Sequence, residues 1–533
     1  MAYLDGIDLP PSSSDEGEVE LQNVEDVIEP AQPAQQPFLR FKSAQVRWPR
    51  IRFTYTVCDA EEIHSECFLP DEIACQGPPR EAEKQQRLDI AVLHVGLVVL
   101  AWYWMACGHK RVVVSAGYLD PEQVAWWEWF YAHCFAEFAV VNNFTEEQIR
   151  VSVEVDSPPR RSVHVMDAAP ARVPCAPGAA RVLCLLGGGK DSLVVHQMLQ
   201  DAGVMPTWLY VGDGQQEFQE SWRLQAVVQR SGSSALVMSH DFQNEALLKL
   251  RKSKKLRPCG HPWAALVGFD AVLVAILHGF DYIAVGNERS ANYGNDLHVG
   301  SLEVNHQFDK SFDFESRMHM YIRRRLAPGV YYFSALKHLW EVQIAWLFCR
   351  RSGTFLDAFI SCNESNGLNE WCCDCEKCCF VFALLAAWVS PGDVATYFGK
   401  NLFESPKLLH NFHSLLGISR KRAVKPFECV GTPDEVMLSL WLAHEASRFS
   451  PDGIPLVLAS LPLDDGKRHL GLLCDYNPAN LLPEWLAPQK SRSSVQEGLD
   501  DHVQDMSALG QKWTAFWSNA MSDTLAALKM DEA

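Results

Sequence analysis

The sequence predicts an α/β protein whose centre is a parallel, doubly wound sheet. Short apolar runs of strand length occur at residues 182–186, 207–211, 236–238 and 282–285. Helical patterns separate them, beginning with residues 192–202, and the first run leads directly into three glycines. Strands that alternate with helices pair in parallel and carry those helices on their faces. Since 533 residues exceed one ordinary core, we expect further domains on both sides of this sheet.

The segments before the sheet predict a tail followed by an α+β domain. Residues 1–38 contain nine acidic side chains and no Lys or Arg, which indicates an acidic, disordered tail. Residues 40–156 form the predicted N-terminal domain, with a strand at 44–57, helices at 83–107 and 121–138, and a short β run at 111–115. A loop rich in Pro and Ala, residues 157–180, marks the boundary with the sheet.

One apolar stretch has the length of a marginal membrane span. Residues 90–107 contain His94 as their one clearly polar side chain. We favour a buried helix, because no second convincing span accompanies it and no secretory signal is present. Seventeen cysteines without an export signal indicate a reducing compartment, so the prediction is a cytoplasmic protein with no membrane partner.

The sheet domain is predicted to cover residues 175–395, and residues 396–533 to form a mostly helical C-terminal region. The last of its helices is expected at 511–529. The formal net charge of the whole chain is −19, which argues against a nucleic-acid partner.

A glycine-rich loop follows the first strand of the sheet. It consists of Gly187, Gly188, Gly189, Lys190, Asp191 and Ser192, and the spacing fits neither Walker A nor GxGxxG. Glycines at a strand–helix junction let backbone amides approach an anion, and the helix N-terminus adds partial positive charge. Lys190 is suited to neutralise phosphate, and Asp191 to hold Mg²⁺ or cap the helix.

This loop resembles the S-G-G-x-D-S signature of the PP-loop ATP pyrophosphatases, with Gly187 where that family commonly has Ser. The resemblance implies a Rossmann-like sheet of the PP-loop type, with ATP and Mg²⁺ bound at the loop. It also implies cleavage between the α- and β-phosphates and transfer of AMP to the substrate.

Four cysteines form a C-x9-C-x2-C-x2-C array, composed of Cys362, Cys372, Cys375 and Cys378. Such spacing lets four thiolates close a tetrahedral site, so we predict a structural Zn²⁺. An iron–sulfur cluster is the alternative, and Cys373 and Cys379 are predicted bystanders. The spacing resembles the zinc site of 7-cyano-7-deazaguanine synthase, another PP-loop enzyme.

Further stretches between residues 85 and 440 resemble one PP-loop family, the ATP-dependent UDP-N-acetylmuramoyl-L-alanyl-L-glutamate epimerases. They are Tyr103-Trp104, Ala116-Gly117, Trp126-Trp127, Gly260-His261-Pro262, the run from Gly286 to Asn292, the run from Val304 to Phe308, Lys310-Ser311-Phe312, Phe314-Glu315, Trp371-Cys372, Phe380-Val381-Phe382 and the run from Phe427 to Thr432. The resemblance implies inversion of the terminal glutamate of a UDP-muramoyl dipeptide from L to D through an acyl-adenylate. AMP and diphosphate would be released, which makes the enzyme an amino-acid isomerase of peptidoglycan synthesis.

Within these stretches we assign hypothetical roles to individual side chains. The proton-transfer candidates are His306 and His261, with Cys429 as a third for which a buried structural cysteine is the favoured alternative. Lys310 is suited to stabilise the α-phosphate, and Glu288 to bind Mg²⁺ or Lys310. Three amides, Asn287, Asn292 and Asn305, are suited to hold the peptide or ribose.

Two alternatives stay open for the sequence. The basic run Lys249, Arg251, Lys252, Lys254, Lys255, Arg257 is either a solvated helix face or a clamp for the diphosphate of the substrate. The competing functions are another PP-loop enzyme that modifies a nucleobase or tRNA, and a non-enzymatic ATP-sensing module.

Overall fold

The computed structural model describes residues 36–158, 177–212, 216–242, 244–365, 368–418, 425–448, 450–451 and 453–487. Most of the predicted acidic tail, most of the predicted boundary loop and the predicted helix at 511–529 lie outside these residues.

Twelve strands are described. They are β1 (Phe38–Arg47), β2 (Arg50–Val57), β3 (Glu62–Phe68), β4 (Arg111–Val114), β5 (Ser152–Val155), β6 (Val182–Leu185), β7 (Thr207–Gly212), β8 (Ala235–Phe242), β9 (Tyr282–Val285), β10 (His298–Val299), β11 (Leu302–Glu303) and β12 (Tyr331–Ser334). Ten of them form one mixed sheet in the order β12-β9-β6-β7-β8-β3-β2-β1-β4-β5, and β10 pairs with β11.

The helices lie between and after these strands. They are α1 (Asp71–Ala74), α2 (Ala82–Cys107), α3 (Pro121–Cys134), α4 (Ala136–Asn142), α5 (Glu146–Ile149), α6 (Lys190–Asp201), α7 (Gln216–Glu220), α8 (Trp222–Ser231), α9 (Asn244–Ser253), α10 (Trp263–His278), α11 (Phe312–Tyr321), α12 (Glu341–Arg351), α13 (Glu376–Ala386), α14 (Pro391–Phe398), α15 (Leu409–Leu415), α16 (Pro433–Ser447) and α17 (Leu456–Ser460). Beyond Ser334 the described residues form helices and loops, which confirms the predicted helical C-terminal part.

The predicted parallel strands are present and pair as expected. From β12 through β9, β6 and β7 to β8 every neighbouring pair is parallel. Successive side chains of a strand point to opposite faces, and both faces here are apolar. Leu183 and Ile283 join the core formed with α2, α3 and α10, whereas Cys184 and Ala284 join the core formed with α6, α8, α12 and α13.

The sheet continues across the boundary that the sequence suggested between two domains. Strand β3 pairs antiparallel with β8, with Cys67 opposite His240. Both side chains are fully buried, and His240 Nε2 lies 2.8 Å from Asp270 Oδ2 of α10. The N-terminal strands and the parallel strands therefore share one hydrogen-bonded sheet.

Two predicted elements are wrong in detail. The single strand expected at 44–57 is a hairpin of β1 and β2 that turns at Trp48 and Pro49. Proline has no amide hydrogen to donate to a ladder, so the strand ends there. The single helix expected at 121–138 is divided at Phe135 into α3 and α4.

The apolar helix α2 lies in the core, as we expected. Among the described residues it is the one helix long and apolar enough to cross a membrane, and 94% of its most apolar stretch is buried within the protein. Its polar side chain, His94, is bonded through Nε2 to the hydroxyl of Tyr321, 2.7 Å away. We therefore interpret α2 as a long helix of the protein core.

Candidate active site

The predicted motifs meet at the carboxyl ends of β6 and β9. The chain leaves β6 towards β7 and β8, and later returns to β9 on the other side of β6. Such a switch in direction opens a crevice at the strand ends, where open α/β sheets bind ligands. Gly286 follows β9, and a Cβ there would lie 3.2 Å from Cβ of Asp191. A glycine thus lets the two loops touch.

The glycine loop after β6 has the geometry of an anion site. Gly188 has a φ of +77°, which favours glycine, and its carbonyl accepts a hydrogen bond from the amide of Ile360 at 2.9 Å. The backbone amides of Gly187, Gly188 and Gly189 have no hydrogen-bond acceptor within the described part of the chain. A side chain at Gly187 would meet no atom within 4 Å. These free amides and this open space precede the N-terminus of α6.

Lys190 is buried and paired with two carboxylates. Its ammonium lies 2.5 Å from Asp191 Oδ1, contacts a carboxylate oxygen of Glu341, and is 1% exposed. Burial opposes the charge of Lys190, but the two carboxylates outweigh it and raise its pKa. The Asp191 side chain does not cap α6, and Ser192 Oγ donates to the carbonyl of Gly189 at 2.9 Å. Lys190 therefore ties the loop to α12.

The loop after β9 is held by hydrogen bonds to its own amides and carbonyls. Asn292 accepts from the amide of Phe312 at 2.7 Å, and Asn305 donates to the carbonyl of Ala291 at 2.9 Å. These two side chains, predicted to hold substrate, are engaged in fixing loops. Asn287 is 8% exposed, and its carbonyl accepts from the Ser334 hydroxyl at 2.6 Å.

Glu288 lies buried among lysines. Gln307 Nε2 donates to its carboxylate at 3.1 Å, and Lys337 Nζ donates to its backbone carbonyl at 2.9 Å. Burial opposes its charge, but Lys310 and Lys337 outweigh burial and lower the pKa of Glu288 to about 2. Glu288 is therefore ionised at neutral pH and neutralises part of this lysine cluster.

His306 forms an ion pair with a residue from the N-terminal part of the chain. Its Nδ1 lies 2.6 Å from Oε2 of Glu137 on α4, and the amide of Gly260 donates to Oε1 of Glu137 at 2.9 Å. Burial opposes the imidazolium, but Glu137 outweighs it and raises the pKa of His306 well above its ordinary value. A Cβ at Gly260 would lie 2.9 Å from the His306 ring, so a glycine is required for this contact.

His261 lies beside this pair but in a different state. Its ring stacks on Trp102 with 5.1 Å between centroids and 10° between planes. Burial lowers the pKa of His261 to about 4, and Arg251 adds to that effect. His261 is therefore neutral where His306 is charged. Arg251 belongs to the predicted basic run, whose Lys249 is 82% exposed.

Cys429 lies in contact with both Lys310 and His306. Lys310 Nζ lies 3.4 Å from its Sγ, and the side chain of His306 hydrogen-bonds it as well. Burial opposes the thiolate, but the charge of Lys310 and the His306 bond outweigh it and lower the pKa of Cys429 to about 5. The side chain is partly exposed. The partner predicted for Lys310 was a phosphate, whereas the structure gives it a thiolate and a nearby carboxylate.

The four predicted cysteines come together next to this group. Their Sγ atoms all lie within 4.8 Å of one another, as a tetrahedral metal site requires. The amides of Asp374 and Cys375 point at Cys372 Sγ, each at 3.4 Å. Cys373 and Cys379 lie outside the cluster, bonded to Phe398 and Asn411 respectively. The donor set fits zinc.

A lysine joins the cysteine cluster to the candidate site. Lys377 lies between two of the four cysteines, and its ammonium donates to the backbone carbonyl of Cys429. Lys377 also acts electrostatically on Glu341, the partner of Lys190. A continuous buried set of charges thus extends from the glycine loop to Cys429.

Sequence reasoning missed five charged participants: Glu137, Lys337, Glu341, Lys377 and Lys425. Lys425 is 3% exposed and donates to Gln307 Oε1 at 2.6 Å. The one available signal was a charged residue in an apolar helix, as at Glu137 in α4. The partners lie far apart in the chain, so spacing could not identify them.

Comparisons with known proteins agree along most of the chain. The family model described as MurL N-terminal domain matches residues 31–335, and that described as MurL C-terminal domain matches residues 358–459. A relative from Xanthomonas oryzae pv. oryzae is 29% identical over 408 residues, which are 75% of this chain and 84% of the relative. A relative from Salinispora tropica is 31% identical over 367 residues, which are 67% of this chain and 73% of the relative. Both relatives are named UDP-N-acetyl-alpha-D-muramoyl-L-alanyl-L-glutamate epimerase.

Proposed function

The chain belongs to the MurL family, and from this premise we propose that it inverts the terminal glutamate of UDP-N-acetylmuramoyl-L-alanyl-L-glutamate from L to D. It is then an epimerase that supplies a D-glutamate precursor for peptidoglycan synthesis. The reaction proceeds through an acyl-adenylate, with ATP converted to AMP and diphosphate.

The glycine loop supports ATP as the second substrate. The strand order, with a change of direction between β6 and β9, supports our assignment of a doubly wound, Rossmann-like sheet of the PP-loop type. Three free amides and the N-terminus of α6 fit a phosphate group. Asp191 is partly exposed beside them, and its carboxylate suits the Mg²⁺ that accompanies ATP.

Adenylation makes the inversion chemically accessible. Removing the α-proton beside a carboxylate creates a second negative charge on the same group, which is unfavourable. An acyl-adenylate carries no carboxylate charge, and its carbonyl accepts the electron pair of the broken C–H bond. Lys310, which is partly exposed and lies 3.4 Å from Cys429 Sγ, is suited to stabilise such negative charge.

One observation carries the proposal: the loop that begins at Gly286 packs against Asp191 of the glycine loop and continues to a group of proton-transfer side chains. Asn295 of this loop accepts from the amide of His306, and Lys310 Nζ lies 3.4 Å from Cys429 Sγ. We propose that the carboxylate activated at the glycine loop is presented to these groups. We assign the cysteine cluster a structural Zn²⁺, which would fix α13 and through Lys377 the Cys429 carbonyl.

The test is diphosphate release from ATP and Mg²⁺ with UDP-N-acetylmuramoyl-L-alanyl-L-glutamate, followed by chiral analysis of the glutamate. We expect release that depends on this dipeptide and yields D-glutamate. The matched control is UDP-N-acetylmuramoyl-L-alanine, which lacks the glutamate and should give no release. Diphosphate release that does not depend on the dipeptide would instead favour a nucleobase or tRNA substrate. ATP binding without diphosphate release would indicate a sensing module.

A further inference from the structure

We propose that Cys429 is a catalytic residue whose thiolate removes the α-proton of the adenylated glutamate on one face. This inference rests on the proposed function and adds the identity of a base to it. It follows from the placement of Cys429 between two cations, Lys310 and His306.

The two histidines expected to act as bases are poorly suited to that step. A base needs a free electron pair, and the His306 ring is held as an imidazolium by Glu137, 2.6 Å away. His261 is neutral, but its ring is stacked on Trp102, with 5.1 Å between centroids and 10° between planes. His306 therefore lacks an available electron pair, and the His261 ring is held in a packing contact.

Cys429 combines an electron pair with access. Lys310 Nζ at 3.4 Å and the His306 imidazolium stabilise its thiolate, and its side chain is partly exposed. Low-pKa, accessible thiols flanked by cations are the reactive ones in proteins. Most other cysteines in the two cores are fully buried, and burial raises their pKa, as for Cys67 and Cys184.

The backbone around Cys429 is fixed rather than loose. Lys377 donates to its carbonyl from α13, and Gly431 lies so close to Glu435 that a Cβ there would be 2.9 Å from a carboxylate oxygen. Glu435 in turn accepts from Thr432 and from the amide of Glu341. The segment around Cys429 is thereby linked to α12, whose Glu341 contacts Lys190.

The step balances without an added reactant. The Cα–H bond breaks, its electron pair enters the acyl carbonyl as an enolate, and an S–H bond forms on Cys429. The thiol then loses its proton to solvent, because its pKa of about 5 lies below neutral pH. A solvent-derived proton delivered to the opposite face of the enolate completes the inversion. Glu137 is a positioning residue, since it acts through His306.

The experiment separates proton removal from adenylation. Wild type, Cys429→Ala and Cys429→Ser are incubated with ATP, Mg²⁺ and the dipeptide substrate in D₂O. Deuterium at the glutamate α-carbon is measured by mass spectrometry, and dipeptide-dependent diphosphate release is measured in parallel. Cys75→Ala, which changes an exposed cysteine remote from the crevice, is the control.

We expect both Cys429 variants to lose deuterium incorporation on the order of 100-fold or more, the scale of general-base catalysis, while diphosphate release persists. Incorporation within about fivefold of wild type would overturn the proposal. So would loss of diphosphate release in both correctly folded variants, since the proposal gives the thiol no part in adenylation. A wild type that releases no diphosphate with the dipeptide would instead refute the proposed function.

A second measurement does not depend on turnover. Iodoacetamide at pH 6 should alkylate Cys429 faster than Cys75, and Lys310→Met should slow that labelling by removing the adjacent charge. Equal labelling of the two cysteines in wild type would contradict a stabilised thiolate. A substrate-derived mass on Cys429 would show a nucleophile instead of a base and would also overturn the proposal.

Discussion

Glu137 and His306 give the sharpest test of the site, because they join the N-terminal part of the chain to the crevice. We consider Glu137→Gln, which removes the charge but keeps an oxygen for the amide of Gly260. The side chain of Glu137 is 9% exposed and that of His306 is 16% exposed, so solvent screens the pair only weakly. Removing one partner of a buried ion pair costs about 3–5 kcal/mol.

The same loss appears as a change in the pKa of His306. Glu137 is the largest of the influences that raise this pKa, so removing its charge should lower the pKa of His306. In wild type the pKa is raised well above its ordinary value. We therefore expect His306 to be an imidazolium at neutral pH in wild type and a neutral ring in Glu137→Gln.

The sign of the pH dependence follows from this raised pKa. A raised pKa contributes stability that is complete below the unfolded imidazole value of about 6.5 and is lost as pH rises through the folded value. The free energy of unfolding should thus differ most between wild type and variant near pH 6, where the Glu137 carboxylate is also ionised. The difference should shrink at alkaline pH.

The assay is an NMR titration of histidine-labelled protein, with His306→Gln used to assign the signal, and denaturant unfolding at several pH values. Glu147→Gln on the neighbouring α5 is the matched control, since it removes an exposed pair with Lys110 and should change neither quantity. Deuterium incorporation should also fall in Glu137→Gln, because a neutral His306 stabilises the Cys429 thiolate less. An unchanged His306 pKa in Glu137→Gln would refute the ion pair and the reasoning built on it.

Two further predictions concern the metal and the crevice. Cys375→Ser should remove about one zinc per chain by elemental analysis and lower diphosphate release, whereas Cys373→Ser, the neighbouring bystander, should retain the metal. Gly286→Ala should raise the Michaelis constant for ATP, because its Cβ would lie 3.2 Å from Asp191 Cβ and 3.3 Å from its backbone carbon. Gly187→Ala, whose Cβ would meet no protein atom within 4 Å, should leave the free energy of unfolding unchanged.

The sequence predicted the parallel part of the fold well because each signal there is local. The strand expected at 282–285 is β9 as found, and the first sheet strand differs by one residue. Apolar runs and glycines mark such strands irrespective of the rest of the chain. The continuous ten-stranded sheet was not predicted, because the pairing of β3 with β8 joins residues about 175 positions apart. No periodicity records such a contact.

The same difference between local signals and long-range contacts applies to the candidate active site. The cysteine cluster was predicted residue by residue, since three of its members, Cys372, Cys375 and Cys378, lie close together in the chain. The state of each titratable group could not be predicted, because it depends on neighbours from distant segments. Lys190 had the residue type to bind phosphate, yet Glu341, 151 positions later, binds its ammonium. Histidine is a residue type that often acts as a base, but the ion pair with Glu137 keeps His306 protonated.

These buried pairs explain why the N-terminal part belongs to the same sheet. Glu137 must reach His306 with its oxygen 2.6 Å from the ring, and a separate domain joined by a linker would not hold that distance. The pairing of β3 with β8, and the packing of α2 against α10, fix α4 relative to the loops after β9. A carboxylate from the N-terminal part thereby sets the charge of His306, and His306 with Lys310 sets the charge of Cys429. The role that we propose for the Cys429 thiolate thus depends on the continuity of the sheet.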